Sequence, residues 1–268
     1  MKANHLKKEF PVTRVVELEK MNTQSFVDAK FDTAIFPIGA CESHGDHMPF
    51  GTDGLTAHAL SIRIAQQCEK TFVLPPHFLG MSHHYRHKPI CVSLSSETQI
   101  RVIQETLESL HHWGIKKILI LNGHDGNIPC AEIAARAVKV KHAEVSLAVF
   151  DWWTILAKML PKGTFEVWSG WGHAGEVETS IGLALFPELM DMKSARGQIP
   201  TRIDEFVKEI WNFEELTSEG ATGAAHKATI EKGDMIVRAV VEYMSNYMRR
   251  FEQDGLSYQP IDARDYVG

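Results

Sequence analysis

Cysteine is scarce and scattered: the chain carries four, Cys41, Cys68, Cys91 and Cys130. No two form a CxxC pair, which excludes a zinc ribbon and a dithiol redox site. Long apolar runs are missing as well, and none approaches the roughly 18 residues that a membrane-spanning helix needs. Residues 1–20, MKANHLKKEFPVTRVVELEK, hold no apolar h-region of a secretory signal. Nor is there a block of basic residues: 28 Lys and Arg against 34 Asp and Glu leave a net charge of -6. That balance does not suit a surface that tracks a phosphate backbone. Linkers, repeats and low-complexity segments are absent, so one domain over residues 1–268 is expected. These absences point to a protein of the reducing cytoplasm, with neither nucleic acid nor membrane as partner.

What is present is apolar residue in quantity, 44% of 268, enough for a sizeable core without staples. Strand-like runs occur at TAIFPIG (33–39), TFVLPP (71–76), KKILILNG (116–123) and EVSLAVFD (144–151). Each is aliphatic or β-branched and is closed by Gly, Pro or Asp. Their continuity suits a sheet buried on both faces. Helical patterns lie between them at 53–70, 95–114 and 128–143, with a last amphipathic helix at 231–254. Ser95 marks a start and Gly114 a stop. Strands alternating with helices imply a mostly parallel sheet with helices on both faces, and ligands at the carboxyl ends of its strands. Residues 199–229 read as a polar excursion.

Histidine is abundant, 14 in all, and three polar clusters use it. ACESHGDHMPFGTD (40–53) follows the first strand, NGHDGN (122–127) follows the third, and WGHAGEVETS (171–180) opens a helix. Glu42 and His44, one residue apart, point the same way from an extended segment, and Asp53 returns at the next helix start. Carboxylate with imidazole is a ligand set for Zn, Mn or Fe rather than for Ca or Mg. Taken singly, Asp53 is equally a helix N-cap, the NGH turn is above all a turn, and Glu176 and Glu178 complement a helix dipole. Taken together, the clusters favour metal. The loop GMSHHYRH divides evenly between pocket and surface. Trp171, beside glycines and His173, could wall a small ring.

These three motifs, in this order across residues 35–181, resemble the creatininase family of metal-dependent amidohydrolases. The resemblance implies a three-layer α/β/α sandwich with a mostly parallel central sheet. It also implies a homo-oligomer, commonly a hexamer, and two divalent metal ions per chain, Zn, Mn or Fe. By the match, Glu42 and His124 bind one metal, His44 the other, and Asp53 bridges them. Creatininase proper supplies a further Glu two residues after the His of the NGH turn, where this chain has Gly126. Glu178 is assigned in its place, with Glu176 second. Asp125 stands where creatininase has an aromatic residue that meets the substrate, and Ser82 matches a serine near the pocket. Ser82, Asp125, Trp171 and Glu176 are therefore the expected substrate contacts.

The resemblance implies hydrolysis of a small cyclic amide or formamide by an activated water, with His173 protonating the leaving group and Glu178 beside it. A second reading is C–C ring opening of a cyclic polyol ketone such as a dehydro-inosose, whose hydroxyl groups Asp125 would accept. A third, of another class, is a noncatalytic metal-binding scaffold.

Overall fold

The computed structural model describes residues 14–204, 207–258, 260 and 262–265. The two ends of the expected 1–268 domain lie outside the described residues. Four strands, β1 (Thr33–Ile38), β2 (Thr71–Val73), β3 (Lys117–Asn122) and β4 (Ser146–Asp151), form one parallel sheet in the order β2-β1-β3-β4. The helices are α1 (Thr23–Ala29), α2 (Thr52–Ala65), α3 (Ser96–His112), α4 (Ile128–Lys141), α5 (Leu156–Met159), α6 (Glu176–Leu185) and α7 (Ile230–Asp254).

Strand alternation divides the core in two. Ile35, Leu119 and Leu121 face α2, α6 and α7, where Leu60, Ile181, Val240 and Met244 meet them. Ala34, Phe36, Ile38, Ile118 and Ile120 face α1, α3 and α4, against Phe26, Ile103, Leu107 and Ala134. This is the expected α/β/α sandwich. Helix ends follow local chemistry: Ser95 accepts from the Thr98 amide and Thr229 from the Lys232 amide, while Gly114 takes a left-handed φ of 83° after α3. Among the described residues, no helix is long and apolar enough to cross a membrane.

Three local outcomes differ from the periodicity. β2 stops at Val73 because Pro75 and Pro76 have no amide to extend the ladder. Pro37, inside the central strand β1, loses no ladder bond. Its carbonyl faces the side that β2 has already left, where it accepts from the His77 amide at 3.0 Å. β4 is not buried on both faces: it is the edge strand of the sheet, with Val149 37% exposed.

Candidate metal centre

The strand order reverses between β1 and β3, so the connections from these neighbours leave in opposite directions and open a crevice at their carboxyl ends. Ile38 and Asn122 end the two strands in register. Asn122 then sets the next turn by hydrogen-bonding on both sides of His124: its Oδ1 accepts from the His124 amide at 3.0 Å and its Nδ2 donates to the His124 carbonyl at 2.8 Å. Between them, Gly123 lies against the α2 start so closely that a Cβ would sit 2.3 Å from the Asp53 carbonyl oxygen. Without that contact the β3 turn and the first turn of α2 could not share a site.

Glu42, His44, Asp53 and His124 are all buried. Asp53 Oδ1 lies 2.9 Å from His44 Nε2, and Asp53 Oδ2 lies 3.2 Å from His124 Nδ1. Glu42 Oε1 is 3.4 Å from His124 Nδ1 and 3.7 Å from His173 Nδ1. Glu178 Oε2 is 4.0 Å from His44 Nε2 and accepts from the Ala174 amide at 2.6 Å. Glu42, Asp53 and His124 thus form one donor group and His44, Asp53 and Glu178 another, each with its donor atoms within 4.8 Å of one another.

The outer nitrogen of each imidazole is engaged by a backbone carbonyl. His44 Nδ1 is 3.2 Å from Glu42 O, His124 Nε2 is 3.0 Å from Met81 O, and His173 Nε2 is 2.6 Å from Ser43 O. Donation at those nitrogens leaves the inward nitrogens with their lone pairs, the arrangement by which metal-binding histidines are oriented.

A cation also fits the electrostatics. Both Glu42 carboxylate oxygens and Asp53 Oδ2 are buried with no hydrogen-bond partner among the described residues, which an isolated protein interior does not tolerate without compensation. Burial, and then neighbouring Asp53, push the Glu42 carboxyl up to about 7, against the pull of His124. Burial raises Glu178 to about 7 as well. Asp53 stays well below the usual carboxylate range because His44 and His124 outweigh its burial. Burial opposes charge on His44 and His124, yet Asp53 and Glu42 overcome it and raise them to about 9 and about 10. His173 is held neutral by burial and by the charge of His44. The donors are those of a first-row divalent ion.

The cluster forms one wall of a cavity of about 340 Å³. Asp125 and Trp171 both line it, with Trp171 39% exposed. Two expected substrate contacts lie elsewhere. Ser82 is fully buried, with Oγ 3.2 Å from His124 Nε2, so it braces an imidazole instead of meeting a ligand. Glu176 turns away from the cavity: it is fully buried, paired with Lys232 and hydrogen-bonded by the Glu166 amide. Glu178, two residues on and so on the opposite side of α6, is the acid that reaches the cluster.

Other cavity residues are not among the expected site residues. Tyr85 and Phe213 are buried, and the Tyr85 ring lies tilted against His173 at 4.4 Å and Phe213 at 4.1 Å. Phe213 comes from the polar excursion, which is clipped to the centre by Thr222: its Oγ1 accepts from the His173 amide at 2.9 Å, and its amide donates to the His173 carbonyl at 2.8 Å. Of the loop histidines, His84 lines the cavity, its ring parallel to His124 at 5.9 Å.

The sequence profile of the creatininase family, described as creatinine amidohydrolase, matches residues 19–248. The chain belongs to the creatininase family. A creatinine amidohydrolase of Pseudomonas putida is 24% identical over 80% of this chain and 88% of its own length. A 3-dehydro-scyllo-inosose hydrolase of Thermotoga maritima is 26% identical over 81% of this chain and 77% of its own. Among solved structures, a candidate creatinine amidohydrolase of Bacteroides fragilis superposes with a TM-score of 0.80 at 26% identity, covering 92% of this chain and 100% of its own. Zinc and manganese forms of creatininase share the fold, each with a TM-score of 0.75. This creatininase-family member is therefore a hydrolase.

Proposed function

We propose that this hydrolase holds two divalent ions, Zn, Mn or Fe, and cleaves the C–N bond of a small cyclic amide or formamide. The observation that carries this reading is the set of buried, unpartnered oxygens on Glu42 and Asp53 facing imidazole nitrogens whose opposite edges are already hydrogen-bonded. Glu42 and His124 would hold one ion, His44 and Glu178 the other, with Asp53 shared between them. When bound, such ions lower the pKa of water and polarise a carbonyl.

The chain's own groups supply orientation and proton transfer. His173 stands over the cluster with Nε2–H fixed on the Ser43 carbonyl, so its free Nδ1 is an acceptor first. It takes a proton from the attacking water and returns it to the leaving nitrogen as the C–N bond breaks. The direct donor role expected from sequence thus becomes the second half of a relay. Glu42, 3.7 Å from that Nδ1, stabilises the charge in between. Tyr85 and Phe213 pack on the ring and hold its plane.

C–C ring opening of a cyclic polyol ketone is the second reading, favoured by Asp125 on the cavity wall and by the chemistry of the Thermotoga relative. A panel of lactams, formamides and inososes on Zn-, Mn- and Fe-loaded protein tests both. Turnover of a lactam or formamide supports C–N hydrolysis, and turnover of inososes alone replaces it. No activity together with no bound metal leaves the noncatalytic scaffold.

A further inference from the structure

We propose that the substrate carries a cationic nitrogen, an ammonium or amidinium group, and that Asp125 and the tryptophan walls of the cavity read it. The proposal rests on the hydrolase reading for the place of the scissile carbonyl, at the metal cluster, and concerns the opposite part of the same cavity.

The cavity's charges are one-sided. Glu42, Asp53 and Glu178 belong to the candidate metal groups, but Asp125 belongs to none of them. It follows His124 directly, opens the short turn Asp125–Asn127, is exposed, and lines the cavity. Among the described residues it makes no hydrogen bond or ion pair through its carboxylate, and no Lys or Arg lines the cavity. An anionic substituent placed against Asp125, away from the candidate metal groups, would meet a like charge with no Lys or Arg to offset it.

The remaining wall is aromatic. Trp152, Trp153, Trp171 and Trp211 all line the same space as Asp125. An indole face attracts a cation through its quadrupole, and a charged N–H donates to a carboxylate about twice as strongly as a neutral group. A polyol gives Asp125 only a neutral hydrogen bond, and its ring packs on the indoles as any aliphatic surface does. A cation adds the charge-assisted bond and the quadrupole attraction, so the pair of features favours an aminated ring over a polyol.

Tryptophan fluorescence of metal-loaded protein at pH 7, titrated with cyclohexylammonium and with its neutral counterpart cyclohexanol, tests this without turnover. Cyclohexylammonium should bind at least about tenfold more tightly, and Asp125→Asn should shrink the gap to about threefold or less while bound metal stays unchanged. Equal binding of the two probes, a gap that survives in Asp125→Asn, or no binding of cyclohexylammonium would each overturn the proposal. A protein that hydrolyses neutral lactams but fails this titration keeps the C–N reading and loses only the cation. One that passes it but hydrolyses neither lactams nor formamides does the reverse.

Discussion

Asp53 Oδ1 lies 2.9 Å from His44 Nε2, across the loop that carries the chain from β1 into α2. The other oxygen of the same carboxylate faces His124, from the turn after β3. One buried side chain therefore joins donors from two neighbouring strand ends. That junction organises the consequences below.

Cation binding should release protons. In the free protein His44 titrates at about 9 and His124 at about 10, while Glu42 and Glu178 titrate at about 7. At pH 7 both imidazoles hold a proton that a metal ion must displace, and the two carboxyls are partly protonated. Affinity for Zn should therefore rise with pH from 6 to 9. Calorimetric titration in two buffers of different ionisation enthalpy should show net proton release at pH 7; zero or negative release would contradict these assignments.

Gly126 should resist substitution. A Cβ there would lie 2.3 Å from the Met81 carbonyl oxygen and 2.5 Å from His124 Nε2, wedging apart the hydrogen bond that orients His124. Gly126→Ala should lower stability by about 1–3 kcal/mol and weaken Zn binding by about 10–100-fold. Chelator competition and thermal melting measure the two effects. Unchanged affinity would mean that His124 is not a ligand.

Lys232→Met separates framework from centre. Glu176 would be left charged and fully buried, and the loss of a partner in such a pair is worth about 3–5 kcal/mol. The melting temperature should drop by roughly 10 °C with metal content retained. Metal loss from a still-folded variant would return Glu176 to the ligand set.

His173→Asn should reduce kcat by about 100-fold or more and leave bound metal unchanged, since His173 is assigned to proton transfer. If the variant lost metal in proportion to activity, His173 would be a ligand, which its place beside Glu42 and His44 also allows.

Much of this was legible in sequence because the local signals agreed with the global fold. β1, β2 and β3 are continuous apolar runs and are buried throughout β1 and β2 and nearly so in β3. The parallel-sheet rule then placed ESHGDH and NGHD at one edge. The preference for Glu178 over Glu176 came from the resemblance and not from local signals, since both occupy the first turn of α6 and suit its dipole equally. Lys232, from α7, pairs with Glu176, and Glu178 is the acid left beside His44. Ser82 was expected at the substrate because it matches a family serine near the pocket, whereas it is fully buried against His124, far along the sequence. Phe213 lay in a polar stretch, and its only signal was the pair of aromatics in WNF. The exposure of β4 follows from its place at the sheet edge, which periodicity alone does not give.

The most direct test of the account is the metal content of purified, Zn-loaded protein and of Asp53→Asn, measured by mass spectrometry alongside circular dichroism. The account predicts about two ions per chain in the parent and loss of most of that complement in a folded Asp53→Asn, with activity gone. A folded Asp53→Asn that keeps the full complement and full turnover would contradict it.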